Sequence, residues 1–482
     1  MPDRAAAPAI VWLRRDLRLS DNPAVDAACV SGQPVVFLFV KDALVDAMGA
    51  AAKWRLGLSL DHISERIAQK GGKLVLRSGA PLEILKEVVS QTGASSLHYC
   101  RDYSPQAIER DTEIKSELSH LIDVTSHNGM LLFEPWTVET GAGSFYKVYT
   151  PFWKAVRDRP VAPALPDPEK IIAPATLPES ENLKDWKLGA GMNRGAQVVK
   201  NHICVGEVAA QRRLQDFAAT RIAAYKAERD RMDIDATSRL SENLTYGEIS
   251  PRQMWHVGAR AMQNGAAGAE HFLKEVVWRE FAYHLLFHSP HMLDDNWREG
   301  WDAFPWRDDN EDAEAWRRGQ TGEPIVDAAM REMYVTGTMH NRSRMIVASY
   351  LTKHLMVHWK VGMEWFAECL TDWDPAANAM GWQWTAGCGP DASPFFRVFN
   401  PETQAEKFDP DGVYRRRFLD PQSVDASAFF EAIPRSWGLS PQTNPITKMI
   451  ELKAGRERAL AAYKRYTTDG REEGSDKQEV RA

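Results

Sequence analysis

The sequence predicts two domains of different class: an α/β domain with a doubly wound parallel sheet at the N-terminus, 1–133, and an all-α C-terminal domain, 203–468. Three observations carry this. Up to Thr125, short apolar runs alternate with segments of helical spacing, as in a parallel sheet with helices on its faces. Beyond Ile203 the strand-like runs stop and helical periodicity remains. Between the two, Pro160, Pro163, Pro166, Pro168, Pro174 and Pro178 mark an extended linker, 134–202.

Taken in order, Ala9–Leu13 and Pro34–Val40 are wholly apolar, as strands covered on both faces require. Trp54–Lys70 has helical spacing and is stopped by Gly71 and Gly72. Lys73–Arg77 reads as a strand, Pro81–Gln91 as a helix, Ser96–Cys100 as a strand, Ile108–Leu121 as a helix and Asp123–Thr125 as a strand. Inside the linker, Phe145–Val156 reads as a short ordered segment. Glu207–Arg231, Ser250–Ala261, Ala269–Leu286, Ile325–Val335, Asn341–Trp359 and Glu364–Leu370 read as helices. A polar loop follows, with Asp372, Asp374 and Asn378 leading to Trp382 and Trp384. Asp469–Ala482 is charged and poor in apolar residues, so an unstructured tail is expected.

The 482 residues carry 44% hydrophobic side chains, enough for two cores. There are 17 Trp against 18 Phe, an excess of indole that asks for a use beyond packing. Five cysteines, scattered and never C-x-x-C, argue against a disulfide framework or zinc ribbon and for a reducing cytoplasm. No run is long enough to span a bilayer, and the N-terminus lacks the apolar core of a signal peptide. A net charge of −7 neither favours nor forbids nucleic acid, since a local basic patch decides.

Several clusters point to chemistry. Asn341, Met345 and Ala348 share a helix face, with Arg342 and Arg344 leaving the same turn. With Asp372, Asp374 and two indoles nearby, this reads as the wall of a pocket for a large, planar, partly polar ligand. Thr237, Ser238, Arg239, Leu240 and Ser241 open a helix, and hydroxyls beside helix-start amides suit a pyrophosphate. As plain structure, Thr237 or Ser238 is the helix cap. Glu275 and Arg279 are an i,i+4 pair, as structure a surface ion pair contributing under ~1 kcal/mol, and Trp278 lies on a neighbouring face. Asp372 and Asp374 lack the further ligands of a metal site, and His284/His288 and His354/His358 lack the glutamate of H-E-x-x-H, so no metal is expected. After the first strand stands RRDLRLSDN instead of G-x-G-x-x-G; Asp16 and Asp21 read as local partners of Arg14, Arg15 or Arg18.

The runs TGEPIVDAAMRE (321–332), MHNRSRM (339–345), DWDPAAN (372–378) and GWQW (381–384) resemble the flavin-pocket motifs of the photolyase/cryptochrome family. The likeness extends from WLRRDLRLSDN (12–22) to EKFDPDG (406–412). It implies FAD as cofactor, with Thr237, Ser238, Arg239, Leu240 and Ser241 at its phosphates and Tyr225 closing over it. Arg279 is assigned to the same cofactor. Arg344 would pair with Asp372 beside the flavin, Asp374 accept from ring or ribityl donors, and Asn378 face N5. Glu275 would hydrogen-bond a pyrimidine lesion, and Trp278 and Trp384 would stack on it. Asn341 and Met345 match substrate contacts where six-four photolyases carry histidines, which points to cyclobutane dimers. Trp382, Trp359 and Trp306 match an electron relay to the surface. Arg342 and Arg397 would hold DNA phosphates.

The implied activity is light-driven repair of cyclobutane pyrimidine dimers in ultraviolet-damaged DNA, in which excited reduced FAD gives an electron to a flipped-out dimer and recovers it after the ring splits. The alternative is a cryptochrome-type blue-light photoreceptor without repair. Asn378 and the short tail favour the enzyme. A cytoplasmic monomer, nucleoid-associated when on DNA, is expected. The N-terminal domain would carry an antenna, methenyltetrahydrofolate as first choice. The adjacent Asn-Glu pair of folate-binding members is here Gln106-Ala107, so a different pocket is expected.

Overall fold

The computed structural model describes residues 7–392, 394–441 and 447–479, with side chains up to residue 468. Five strands, β1 (Ala9–Leu13), β2 (Val35–Lys41), β3 (Leu74–Ser78), β4 (Ser96–Cys100) and β5 (Asp123–His127), form one sheet in the order β3-β2-β1-β4-β5. Every pairing is parallel, with Ala9 in register with Val35 on one side and Ser96 on the other. β1 is buried throughout, as the central strand of a two-faced sheet must be. The helices Pro23–Val30, Pro81–Thr92 and Pro105–Leu118 each begin on a proline, whose fixed φ and missing N–H suit a first helical position.

The strand order reverses at β1, so the loop leaving it is the switch point of the sheet. Its charges do not pair with one another through their side chains as expected. Arg14 meets Asp111 at 2.6 Å, and Arg15 reaches out of the domain to Asp374 at 2.9 Å. Arg18 donates to the carbonyls of Gly247 and Gly129. Asp16 takes the Arg14 N–H and Asn22, and Asp21 takes Arg252. The reason is position. These groups sit where the two domains meet, and a buried charge takes whatever partner lies there. Arg55, Glu248, Glu242 and Ser59 form a second buried polar knot across the same boundary.

The linker contains the helix Tyr149–Val156. In the helical domain, three expectations are corrected. Glu207–Arg231 is broken into Glu207–Thr220 and Tyr225–Glu228, because Phe217 and Tyr225 meet edge to face at 5.4 Å, which a straight helix does not allow. Asn341–Trp359 ends as a helix at Ser349, passes through a π turn at Tyr350–His354, and restarts at Trp359 with His358 as cap. Met356 at φ +57 and the Arg307–Val357 bridge force that restart. The polar loop after Asp372 is a helix from Pro375 to Ala386, capped by Asp374, which accepts from the Ala377 N–H at 3.0 Å. Its start signal, an Asp cap followed by Pro at the first position, was present in the sequence.

The closing helix runs Leu452–Glu479, so the stretch expected to be unstructured from Asp469 is helical as far as Glu479. Its Arg, Glu, Lys and Gln are good helix formers, and the helix is anchored upstream by buried Ala459 and Ala462. The side chains beyond 468, and residues 480–482, lie outside the described residues. Among the described residues no helix is long and apolar enough to cross a membrane.

Candidate functional site

The helices Ala269–His288, Asn341–Ser349 and Pro375–Ala386, with the turn at 237–241, enclose a cavity of about 410 Å³. Thr237, Ser238, Arg239, Leu240 and Ser241 all line it, and so does buried Tyr225. The helix that starts at Ser241 has Leu240 as its cap residue, with no side-chain cap bond. The expected cap by Thr237 or Ser238 is therefore not formed. First-turn amides and three hydroxyls face one end of the cavity.

In the middle, Arg344 forks onto Asp372 at 2.7 and 2.9 Å, and its Nε donates to the Met339 carbonyl at 2.8 Å. Both charges line the cavity, as expected. Asp374 lines it too, but three hydrogen bonds already reach its carboxylate, from Ala377 N, Arg15 and Tyr283. About one of its four acceptor sites is left for a ligand. Arg15 and Arg279 hold its carboxyl below the usual range against the effect of burial. The Asn378 Nδ2 donates to the Met363 carbonyl at 3.0 Å, so the amide oxygen remains for whatever occupies the cavity.

At the far end, Glu275, Asn341 and Met345 line the same cavity. The Asn341 amide and Met345 sulfur lie 4.0 Å apart, as their spacing required. Glu275 is paired with Arg229 and lies 3.7 Å from His271, not against Arg279. Burial pushes its carboxyl up, while Arg229 pulls it down.

Five expected residues stand outside the cavity lining. Arg279 does not line the cavity: it donates to the Met130 carbonyl at 2.8 Å and lies over Tyr283, because the buried segment at 130–133 needs donors there. Arg342 is committed to Asp230 at 2.6 Å and to the Phe408 ring, so its charge is not free for a phosphate. Trp278 lies outside the cavity lining and stacks on Tyr149. Trp384, half-buried, is outside the lining as well. Arg397 is exposed and forms no ion pair among the described residues.

Trp382 lines the cavity and is buried edge-on against Phe366 at 5.0 Å. Trp359 is fully buried, with its N–H on Asn296 at 2.8 Å. His358 lies between Trp359 (5.5 Å) and half-buried Trp306 (5.0 Å). Sequence reasoning weighed His358 only as a metal ligand beside His354 and passed over His340 and Arg229. His340 accepts the Arg342 N–H at Nδ1, so its Nε2 carries the proton and is buried, near the Arg229 carbonyl. Burial pushes this ring down to about 4, so it is a neutral donor in the cavity wall. A histidine directly before the Asn341 helix was visible, but its aim was not.

A helical cavity with hydroxyls at one end, an Arg–Asp pair in the middle and an indole series leading outward, joined to a doubly wound domain, suits a flavoprotein that binds a dinucleotide. The chain belongs to the photolyase/cryptochrome family: residues 9–169 match DNA photolyase, and residues 272–465 match the FAD binding domain of DNA photolyase. It is 44% identical over 469 residues to a deoxyribodipyrimidine photo-lyase of Agrobacterium fabrum, covering 95% of this chain and 98% of that one. A crystal structure of a bacterial class III photolyase from Agrobacterium tumefaciens matches with TM-score 0.89 at 42% identity, over 96% of this chain and 98% of that one. A Synechocystis cryptochrome matches with TM-score 0.81 at 26% identity, over 95% and 100%.

The residues present fit a flavin dinucleotide. The hydroxyls of Thr237, Ser238 and Ser241 line the cavity where phosphates need donors, and the Arg344–Asp372 pair and the Asn378 oxygen offer polar groups to a ring system.

Proposed function

We propose that the protein is a deoxyribodipyrimidine photo-lyase that repairs cyclobutane pyrimidine dimers in light. One observation carries the reading: Glu275, Asn341 and Met345 share a single cavity with Arg344, Asp372 and Asn378. Residues suited to a pyrimidine edge and residues suited to a flavin face the same space.

FAD, when bound and reduced, supplies the light-driven electron. The 237–241 turn would hold its phosphates through amides and hydroxyls. Arg344, fixed by Asp372, and the Asn378 oxygen would address its ring. Asn341 and Met345 would form the floor under the dimer, one a hydrogen-bonding amide and the other a polarizable, adaptable contact. Glu275, its carboxyl pushed up by burial and pulled down by Arg229, would hydrogen-bond the pyrimidine edge of the lesion. Flipping a dimer is inexpensive because damage has already weakened its pairing. Exposed Arg397 would take a phosphate. Such work places a monomer in the cytoplasm, at the nucleoid.

A second cavity of about 600 Å³ lies between the sheet domain and the helical domain, lined among others by Tyr103, Asp111, Lys115, Trp136 and Phe287. We assign it to the antenna, methenyltetrahydrofolate first, with Trp136 and Phe287, in contact with each other at 5.5 Å, as one aromatic wall and Lys115 available to its carboxylates. Gln106 and Ala107 do not line it.

The test is repair. Photoreduced protein and ultraviolet-irradiated oligo-thymidine are exposed to blue light, with a dark control, and thymine absorbance is followed. Recovery only in light is expected, and its action spectrum reads the antenna. No recovery with flavin bound and reducible overturns the reading in favour of a photoreceptor, which the Synechocystis cryptochrome likeness supports.

A further inference from the structure

We infer that Tyr149, contributed by the linker, is a positioning residue for lesion stacking: it backs one face of Trp278 and ties that indole to the rim loop that carries Arg397. The inference rests on the proposed repair reading and goes beyond it by making the linker part of the substrate site.

The linker does more than span the domains. It lies along one face of the helix Ala269–His288: Phe145 stacks on His288 at 4.8 Å and 8°, the Tyr146 N–H donates to His284 at 3.1 Å, and Phe152 packs on Phe281 at 5.2 Å. At the end of this series the Tyr149 ring lies parallel to Trp278, with centroids 3.6 Å apart and 7° between the planes.

Tyr149 is itself held on several sides. It is 7% exposed, and its edge meets Phe281 at 5.8 Å. Its hydroxyl donates to the Lys274 carbonyl at 2.6 Å, in the turn that carries Trp278. Its N–H donates to the Asp391 carboxylate at 3.1 Å. Asp391 has φ +47, a conformation that a non-glycine residue keeps only when its surroundings hold it, and it stands in the loop that leads to Arg397.

Trp278 nevertheless remains half-buried, and an incoming base would take the ring face away from Tyr149. An indole clamped on one face is a fixed platform. A base that stacks there need not order the indole, which lowers the cost of binding.

The test uses the full-length flavin-loaded protein. The variants are Tyr149→Leu, Tyr149→Phe, Trp278→Leu and the double Tyr149→Leu/Trp278→Leu. The probe is oligo-thymidine with or without one thymine dimer. Expected for Tyr149→Leu is dimer affinity weakened about tenfold, with binding of undamaged oligonucleotide and flavin absorbance unchanged. Tyr149→Phe, which keeps the ring, restores dimer affinity. In the Trp278→Leu background, adding Tyr149→Leu has no further effect, because Tyr149 acts through the indole. Additive losses in the double variant, or undiminished dimer affinity in Tyr149→Leu, overturn the inference. If Tyr149→Leu loses flavin, Tyr149→Met, which fills the volume without a flat face, is put through the same comparison. A wild-type protein without preference for the dimer sinks the repair reading, and this inference with it.

Discussion

Arg344 decides the electrostatics of the cavity. Its fork meets both Asp372 oxygens, and its Nε is spent on the Met339 carbonyl, so the guanidinium cannot turn. A lysine offers one point charge in place of two directed donors, Nη2 on Asp372 and Nε on Met339. Asp372, 6% exposed, would be left under-satisfied, at a cost of about 1.5–3 kcal/mol. Arg344→Lys is expected to raise the dissociation constant for FAD by about tenfold or more, read by flavin titration of the apoprotein. Arg344, Asp372 and Asn378 were legible from the sequence because their motifs are contiguous and dense. Arg279 and Arg342 were not. A helical position fixes the direction in which a side chain leaves, not which of several acceptors it meets, and here the Met130 carbonyl and Asp230 are nearer than any ligand.

At the scale of elements, the helices Trp359–Cys369 and Pro375–Ala386 set the path from cavity to surface. Gly362 lies one turn from Trp359 and has no side chain in the space that the Trp382 ring fills; a Cβ there would overlap that ring. Gly362→Ala is expected to destabilise by about 1–3 kcal/mol through overpacking and to displace Trp382. Photoreduction in the presence of an external donor should slow, while dimer repair by chemically reduced protein persists. Equal loss of both would remove Trp382 from the relay. The π turn at Tyr350–His354 and the helix break at residue 221 were beyond sequence reasoning, because helical periodicity continues across both and only packing of distant rings interrupts the chain.

For the whole molecule, burial decides the response to pH. His127, His284, His340, His354 and His358 are each pushed down to about 4. In the unfolded chain they titrate near 6.5. Below that pH the unfolded chain takes protons that the folded one refuses, so stability is lost as pH falls from about 6.5 to 4, on the order of 1 kcal/mol or more per ring. Lys353, pushed down to about 7, acts in the same sense above neutrality. Glu280, pushed up to about 7, acts the other way, losing stability as pH rises through the range from 4.5 to 7. Burial also raises Glu242, Glu275, Glu323, Asp327, Glu332 and Asp391, which act with Glu280, and lowers His98, His202 and His271, which act with the five rings. Between pH 5 and 7, where an unfolded imidazole titrates, the histidines prevail. The urea midpoint should be higher at pH 7 than at pH 5, and an equal or lower midpoint at pH 7 would contradict this balance.

The order of apolar runs determined the parallel sheet and the all-helical second half, and the resemblance of contiguous motifs to a family implied the cofactor class, because periodicity and contiguous motifs are local properties of a chain. What only the tertiary structure decided is which distant groups meet: Arg15 with Asp374, Arg229 with Glu275, Tyr149 with Trp278. Side chains separated by tens to hundreds of positions leave no joint pattern in one sequence. Their pairing is selected by the packing of domains and by the need of every buried charge and ring for a partner.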